Sequence, residues 1–192
     1  PRSRITATCR VELHTSRQNR PSLASVPVST LITDEPEYIS EILETENSCI
    51  RMRKAKNLKL GSHALEVLPK LCFHQANEME EFVLDAYLPE HIAEILKEEN
   101  FSIWIGKVKK LKLGDCAIQI LPRLGFHEEN EIEELRLSAG DPEQITEILE
   151  MGDKSIWIGK VWDVNLEGYA EDIENKLDFT EMDSQEEDED DS

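Results

Sequence analysis

Two Phe-His pairs, Phe73-His74 and Phe126-His127, stand 53 residues apart. A recurring imidazole invites a metal reading, because a neutral ring nitrogen is a common ligand. A metal also needs partners, and no cysteine or carboxylate recurs with these histidines at ligand spacing. His74 and His127 are therefore expected to be structural, with Phe126-His127 packing near Trp104 and Trp157 and Phe73-His74 serving Trp104 from the other side. No metal or cofactor is expected. The Glu pairs, such as Glu80-Glu81 and Glu133-Glu134, are weak grounds for acid–base chemistry when nothing else accompanies them. The chain has no Gly-rich phosphate loop, no nucleophile elbow and no His-Glu-x-x-His. These residues point away from catalysis, and the chain is expected not to be an enzyme.

The elements that must position these residues come from internal repetition, which decides a fold more than any single motif does. Ser-Ile-Trp-Ile-Gly-Lys-Val at 102–108 recurs unchanged at 155–161. Each 53-residue unit holds two unequal halves, and each half carries apolar-x-x-apolar-x-Leu. The last leucine falls at Leu31, Leu60, Leu84, Leu113, Leu137 and Leu166, with spacings alternating between 29 and 24. The first apolar position reads Val26, Ala55, Met79, Val108, Ile132 and Val161. The middle one reads Ser29, Leu58, Phe82, Leu111, Leu135 and Val164. Alternation with period two predicts half-buried strands.

After each strand the period turns helical. Pro36-Glu-Tyr-Ile39, Pro89-Glu-His-Ile92 and Pro142-Glu-Gln-Ile145 each open a run with apolar residues at i, i+3 and i+4. Proline suits the first helical position, and Asp141 suits the cap before it. In the other halves, Ala64–Leu71 and Ala117–Leu124 contain Pro69 and Pro122. The expectation there is a short helix, a kink and a second turn through Phe73-His74 or Phe126-His127.

Strand and helix alternating every 24 to 29 residues resembles a leucine-rich repeat protein over roughly residues 26–177. The likeness is to the helix-backed class of ribonuclease inhibitor and the F-box-linked receptors. It implies an α/β solenoid of about six repeats, with a curved parallel sheet on the concave side and helices on the convex side. One such unit cannot bury its leucines alone; a stack can. The sequence departs from the family at the ninth position, usually Asn or Cys. That position reads Asp34, His63, Tyr87, Cys116, Gly140 and Tyr169.

The resemblance implies a protein–protein interaction module that binds another protein through its curved repeat surface. Between the inward leucines, the exposed sheet face carries Lys109, Lys110 and Lys112, then Glu133, Glu134 and Arg136, then Trp162, Asp163 and Asn165. These nine are the candidate partner-binding residues. Equivalent positions fall side by side, about 4.8 Å apart. Lys56, Glu80, Lys109 and Glu133 then form one ladder of alternating charge, and Glu81, Lys110 and Glu134 a second. Such ladders can neutralise themselves or present charge to a partner. Trp162 breaks them with a large aromatic, which fits an interface anchor or packing under a C-terminal cap.

The formal net charge is −20, and it is lopsided. Residues 1–25 hold five Arg and one Glu, and residues 178–192 hold nine acids and no base. Residues 1–25 read as a poorly ordered extension or the remnant of a further repeat, with a transit peptide as the other reading. Residues 26–179 read as the repeat domain, closed by an amphipathic helix over 169–179. Residues 180–192 read as an acidic, disordered tail, with Ser184 placed for an acid-directed kinase. The overall acidity disfavours nucleic acid as the main ligand. No apolar run is long enough to span a membrane. The four cysteines (Cys9, Cys49, Cys72, Cys116) sit singly, which suits reduced thiols in an intracellular, cytoplasmic or nuclear protein. A monomer is expected. The acidic end also resembles repeat proteins that bind histones and the activator of the Ran GTPase, and a third resemblance is to the substrate-recognition part of an F-box-type ubiquitin ligase.

Overall fold

The computed structural model describes residues 22–23, 28–34, 36–44, 46, 50–52 and 55–182. The expectations for Cys9, Cys49, Val26, most of the N-terminal extension and the tail from residue 183, Ser184 included, lie outside these residues. The fold is mixed α/β: a many-stranded parallel sheet with few and short helices. Six strands lie side by side in chain order: Val28–Thr33, Asn57–Ser62, Glu78–Ala86, Ile103–Asp115, Glu134–Ala139 and Val164–Gly168. Every neighbouring pair is parallel.

The register follows the leucines. Leu31, Leu60, Leu84, Leu113, Leu137 and Leu166 pair in one unbroken row. The middle positions Ser29, Leu58, Phe82, Leu111, Leu135 and Val164 form a second row. A slip of one residue would turn every leucine to the other face, so burial fixes this register. Leu58, Leu60, Phe82, Leu84, Leu111, Leu113, Leu135 and Leu137 are all buried, while Leu31 and Leu166 on the outermost strands are only partly covered. Each fully buried leucine contributes about 1.5–3 kcal/mol of hydrophobic stabilisation.

The segments between strands differ from the helical expectation. His63–Lys70, Cys116–Arg123 and Tyr169–Lys176 are 3-10 helices. The reason is periodicity. Ala64, Leu65, Val67 and Leu68 are buried, as are Ala117, Ile118, Ile120 and Leu121. These positions stack at i and i+3, as side chains do in a three-residue turn. Eight residues are also too few for a stable α-helix, and Pro69 and Pro122 each remove a donor. The expected second turns through Phe73 and Phe126 are instead the strands Leu71–Phe73 and Leu124–Phe126. The expected closing helix over 169–179 is the last 3-10 helix followed by the strand Leu177–Glu181, which crosses the boundary drawn at 179. The runs starting with proline are likewise 3-10 at their start, with α-helix only over Ser40–Leu43 and Thr146–Leu149. Asp141 does cap its helix: Glu143 N–H donates to its carboxylate at 3.0 Å, and Gln144 completes a capping box.

Short parallel pairings make a second set of strands. Ser22–Leu23, Ile50–Met52 and Leu71–Phe73 form one three-stranded group. Leu124–Phe126 pairs with the start of Ile103–Asp115, and Ile156–Val161 pairs with both Leu177–Glu181 and Glu131–Ile132. The identical heptapeptides explain themselves here. Each carries a register shift at its glycine, between Trp104 and Gly106 and between Trp157 and Gly159. Gly106 has φ +83° and Gly159 φ +108°, and a Cβ there would lie 2.7 Å from the Asn77 carbonyl oxygen or 2.5 Å from that of Asn130. Only glycine fits both the angle and the approach.

Candidate functional site: the charged sheet face and Trp162

Leu111 and Leu113 turn inward, so Lys110 and Lys112 stand on the other face of the same strand. Glu81, Lys110 and Glu134 are register partners across three strands. The first expected ladder is present at Lys109, whose Nζ lies 3.5 Å from Glu80 and 3.7 Å from Glu133. Lys56 is exposed at the end of this row, and its carbonyl accepts from Glu80 N–H at 2.7 Å.

The second ladder is displaced by one step. Lys110 reaches Glu134 at 3.9 Å, but Glu81 pairs with Lys112 at 3.3 Å, and Lys112 also meets Glu134 at 3.2 Å. Lys112 and Arg136 are direct register partners, and like charges opposite one another are destabilising. Lys112 leans to the two glutamates, and Arg136 donates to Glu167 on its other side at 2.6 Å. The neighbouring glutamates hold Lys109 above the ordinary lysine range, Glu80 first and Glu133 second. Partial burial opposes the same shift at Lys112, but the hydrogen bonds that Lys112 donates to Glu134 and Glu81, together with the charges of those carboxylates, outweigh it.

At the far end stand Trp162, Asp163 and Asn165, all exposed, with Trp162 at 45%. Asn165 pairs in register with Arg136. Trp162 is fixed at its backbone, where its N–H donates to Ile132 O at 2.9 Å, while the residue as a whole stays partly exposed. It lines a cleft of about 650 Å³ together with Lys107, Lys109, Glu133, Lys160 and four further glutamates. Three lysines therefore face five glutamates. Lys107 donates to Glu129 and Lys160 to Glu131, each at 2.8 Å, and these bonds pull both carboxyls below the usual glutamate range. The structure thus brings Lys109, Glu133 and Trp162 to one cleft, and sets Lys110, Lys112, Glu134 and Arg136 in rows beside it.

The recurring histidines are held locally. His74 Nδ1 accepts from Ala76 N–H and His127 Nδ1 from Glu129 N–H, each at 3.1 Å. The His127 ring meets Trp104 edge-on at 6.2 Å, and Phe73 lines a small cleft with Trp104. Sequence reading missed two features. Asn77 and Asn130 are buried, and the second bridges two strands: Val108 N–H donates to Asn130 Oδ1 at 2.9 Å, and Asn130 Nδ2 donates to Ile158 O at 3.0 Å. Their spacing of 53 residues was the available signal. The other is a histidine pair, His63 and His91, with Glu90 beside it, whose ligand atoms lie within 4.8 Å of one another. No spacing in the repeat announces it.

No helix among the described residues is long and apolar enough to cross a membrane. Comparison with protein-family models, with curated proteins and with solved structures finds no match.

Proposed function

We propose that the chain is a leucine-rich-repeat-like solenoid of about six repeats that acts, without catalysis of its own, as an adaptor binding another protein through the charged sheet face. The unbroken row from Leu31 to Leu166 supports the repeat reading, because one leucine from each sequence repeat takes the same place in the sheet. The observation that carries the binding reading is Trp162. A large aromatic left 45% exposed at the rim of a polar cleft is the arrangement of an interface anchor ringed by charge. Carboxylates outnumber ammonium groups in that cleft, so the partner surface is basic. An arginine laid over the indole would add a cation–π contact. The same surplus favours the second reading, in which the ligand is a strongly basic protein of the histone kind.

Quantitative affinity capture from lysate tests both, with three baits: the whole chain, Trp162→Ala, and a chain ended after Met182. The expected outcome is a discrete partner held equally by the whole and shortened chains, and reduced about tenfold or more by Trp162→Ala. Capture unchanged by Trp162→Ala would move the binding surface elsewhere. Basic proteins lost with the tail would favour the second reading.

A further inference from the structure

We propose that His63, Glu90 and His91 form a binding site for a divalent first-row transition metal ion, with Zn²⁺ the ion to try first. Two imidazoles and one carboxylate are a donor set that such ions accept. The His63 and His91 rings meet edge-on, 4.7 Å between centroids, and one ligand atom from each of the three residues lies within 4.8 Å of the others. Bonds of about 2.0–2.1 Å to zinc bring donors to about 3.3 Å from each other. A small rotation of His63 and Glu90, which both reach solvent, closes that difference.

Three further observations point to a cation. His91 is only 5% exposed, and its Nδ1 has no hydrogen-bond partner among the described residues. A buried nitrogen in that state is anomalous, and a metal would satisfy it. His63 is oriented from behind, with Nδ1 2.8 Å from Glu66 Oε1. This leaves Nε2 free and matches the carboxylate–histidine support found behind metal ligands. Finally, the same place one unit later is built differently. His63 and His91 correspond to Cys116 and Gln144 at the 53-residue spacing, and there Gln144 Nε2 sits 3.9 Å from Cys116 Sγ. That later pair satisfies itself; the histidine pair does not.

The test is calorimetric titration of Zn²⁺ into the metal-stripped full chain, with thermal unfolding followed with and without the ion. His91→Gln copies the residue at the equivalent place and is the variant chosen to keep the fold. His63→Ala alters a partly exposed position, and His127→Ala is the control. The expected result is one saturable site that raises the unfolding temperature. Its affinity should fall at least about tenfold in His63→Ala and in His91→Gln and stay unchanged in His127→Ala. Co²⁺ in place of Zn²⁺ should give a visible absorption band without a thiolate band, lost in His63→Ala. A chain that binds no Zn²⁺ saturably, or one whose affinity survives both substitutions, overturns the proposal. So does a cobalt spectrum dominated by sulfur.

Discussion

Asp115 shows how one residue carries a cost that the sequence hides. Ser62, Asp115 and Gly168 stand 53 residues apart, and all have positive φ, at 53°, 52° and 64°. This backbone region favours glycine, and a non-glycine there costs about 1–3 kcal/mol. Gly168 shows the preferred residue; a Cβ on it would run into the Ala139 carbonyl oxygen. Asp115 has a second penalty, because burial, and after it the Asp85 carboxylate, raises its pKa above the ordinary aspartate value. An acid whose folded pKa is raised destabilises the fold once ionised. That penalty is absent below the unfolded pKa and complete above the folded one. Asp115→Asn should therefore raise the urea midpoint near neutral pH and lose its advantage below the aspartate range. Asp115→Gly should gain about 1 kcal/mol more, and keep that part at every pH, because it relieves the backbone. Equal urea midpoints for wild type and Asp115→Gly would refute the backbone account.

At the scale of the element, the buried asparagines tie strands that the ladders leave open. Asn130 makes a bond on each side, to Val108 N–H and to Ile158 O. Asn77 accepts from Ala55 N–H at 3.2 Å, while its Nδ2 has no partner among the described residues. Stranding a buried polar group costs about 1–3 kcal/mol. Asn130→Ala should thus lose about 2–4 kcal/mol, and Asn77→Ala about half of that. Chemical denaturation of the two variants measures the ratio, and equal losses would contradict the bonding pattern. The strands themselves were legible, because Leu111 and Leu113 alternate with lysines and their spacing set the register in advance. The elements between them were not, because 64, 65, 67 and 68 suit both a broad α-helical face and a 3-10 stack. Pro69 and the short span between strands decided for the tighter turn. The asparagines were visible as recurring letters, but their bonds run to residues 22 and 28 positions away, which no local pattern encodes.

Across the whole molecule two electrostatic effects compete. The chain has 41 acidic and 21 basic residues, and a compact fold crowds that excess more than an unfolded chain does. Against this stand close pairs such as Lys107–Glu129, Lys160–Glu131 and Arg136–Glu167, at 2.6–2.8 Å, each exposed and so only weakly stabilising. Distance separates the two effects. Screening length falls from about 30 Å at 0.01 M salt to about 10 Å at 0.1 M and about 3 Å at 1 M. Repulsion among scattered carboxylates is therefore lost first, and contact pairs last. Raising sodium chloride from about 0.01 M to about 0.1 M should raise the unfolding midpoint, with a plateau or slight fall beyond. A fall from the first addition would mean that the contact pairs outweigh the excess charge. Acid separates them again, since Glu129 and Glu131 have lowered folded pKa values. Their contribution is complete above the ordinary glutamate range and is lost as pH falls through the lowered values. Replacing Lys107 with Met should therefore shrink the acid-induced loss of stability without abolishing the salt-induced gain. The gain belongs to the net charge of the whole chain, and the loss to the Lys107–Glu129 and Lys160–Glu131 contacts.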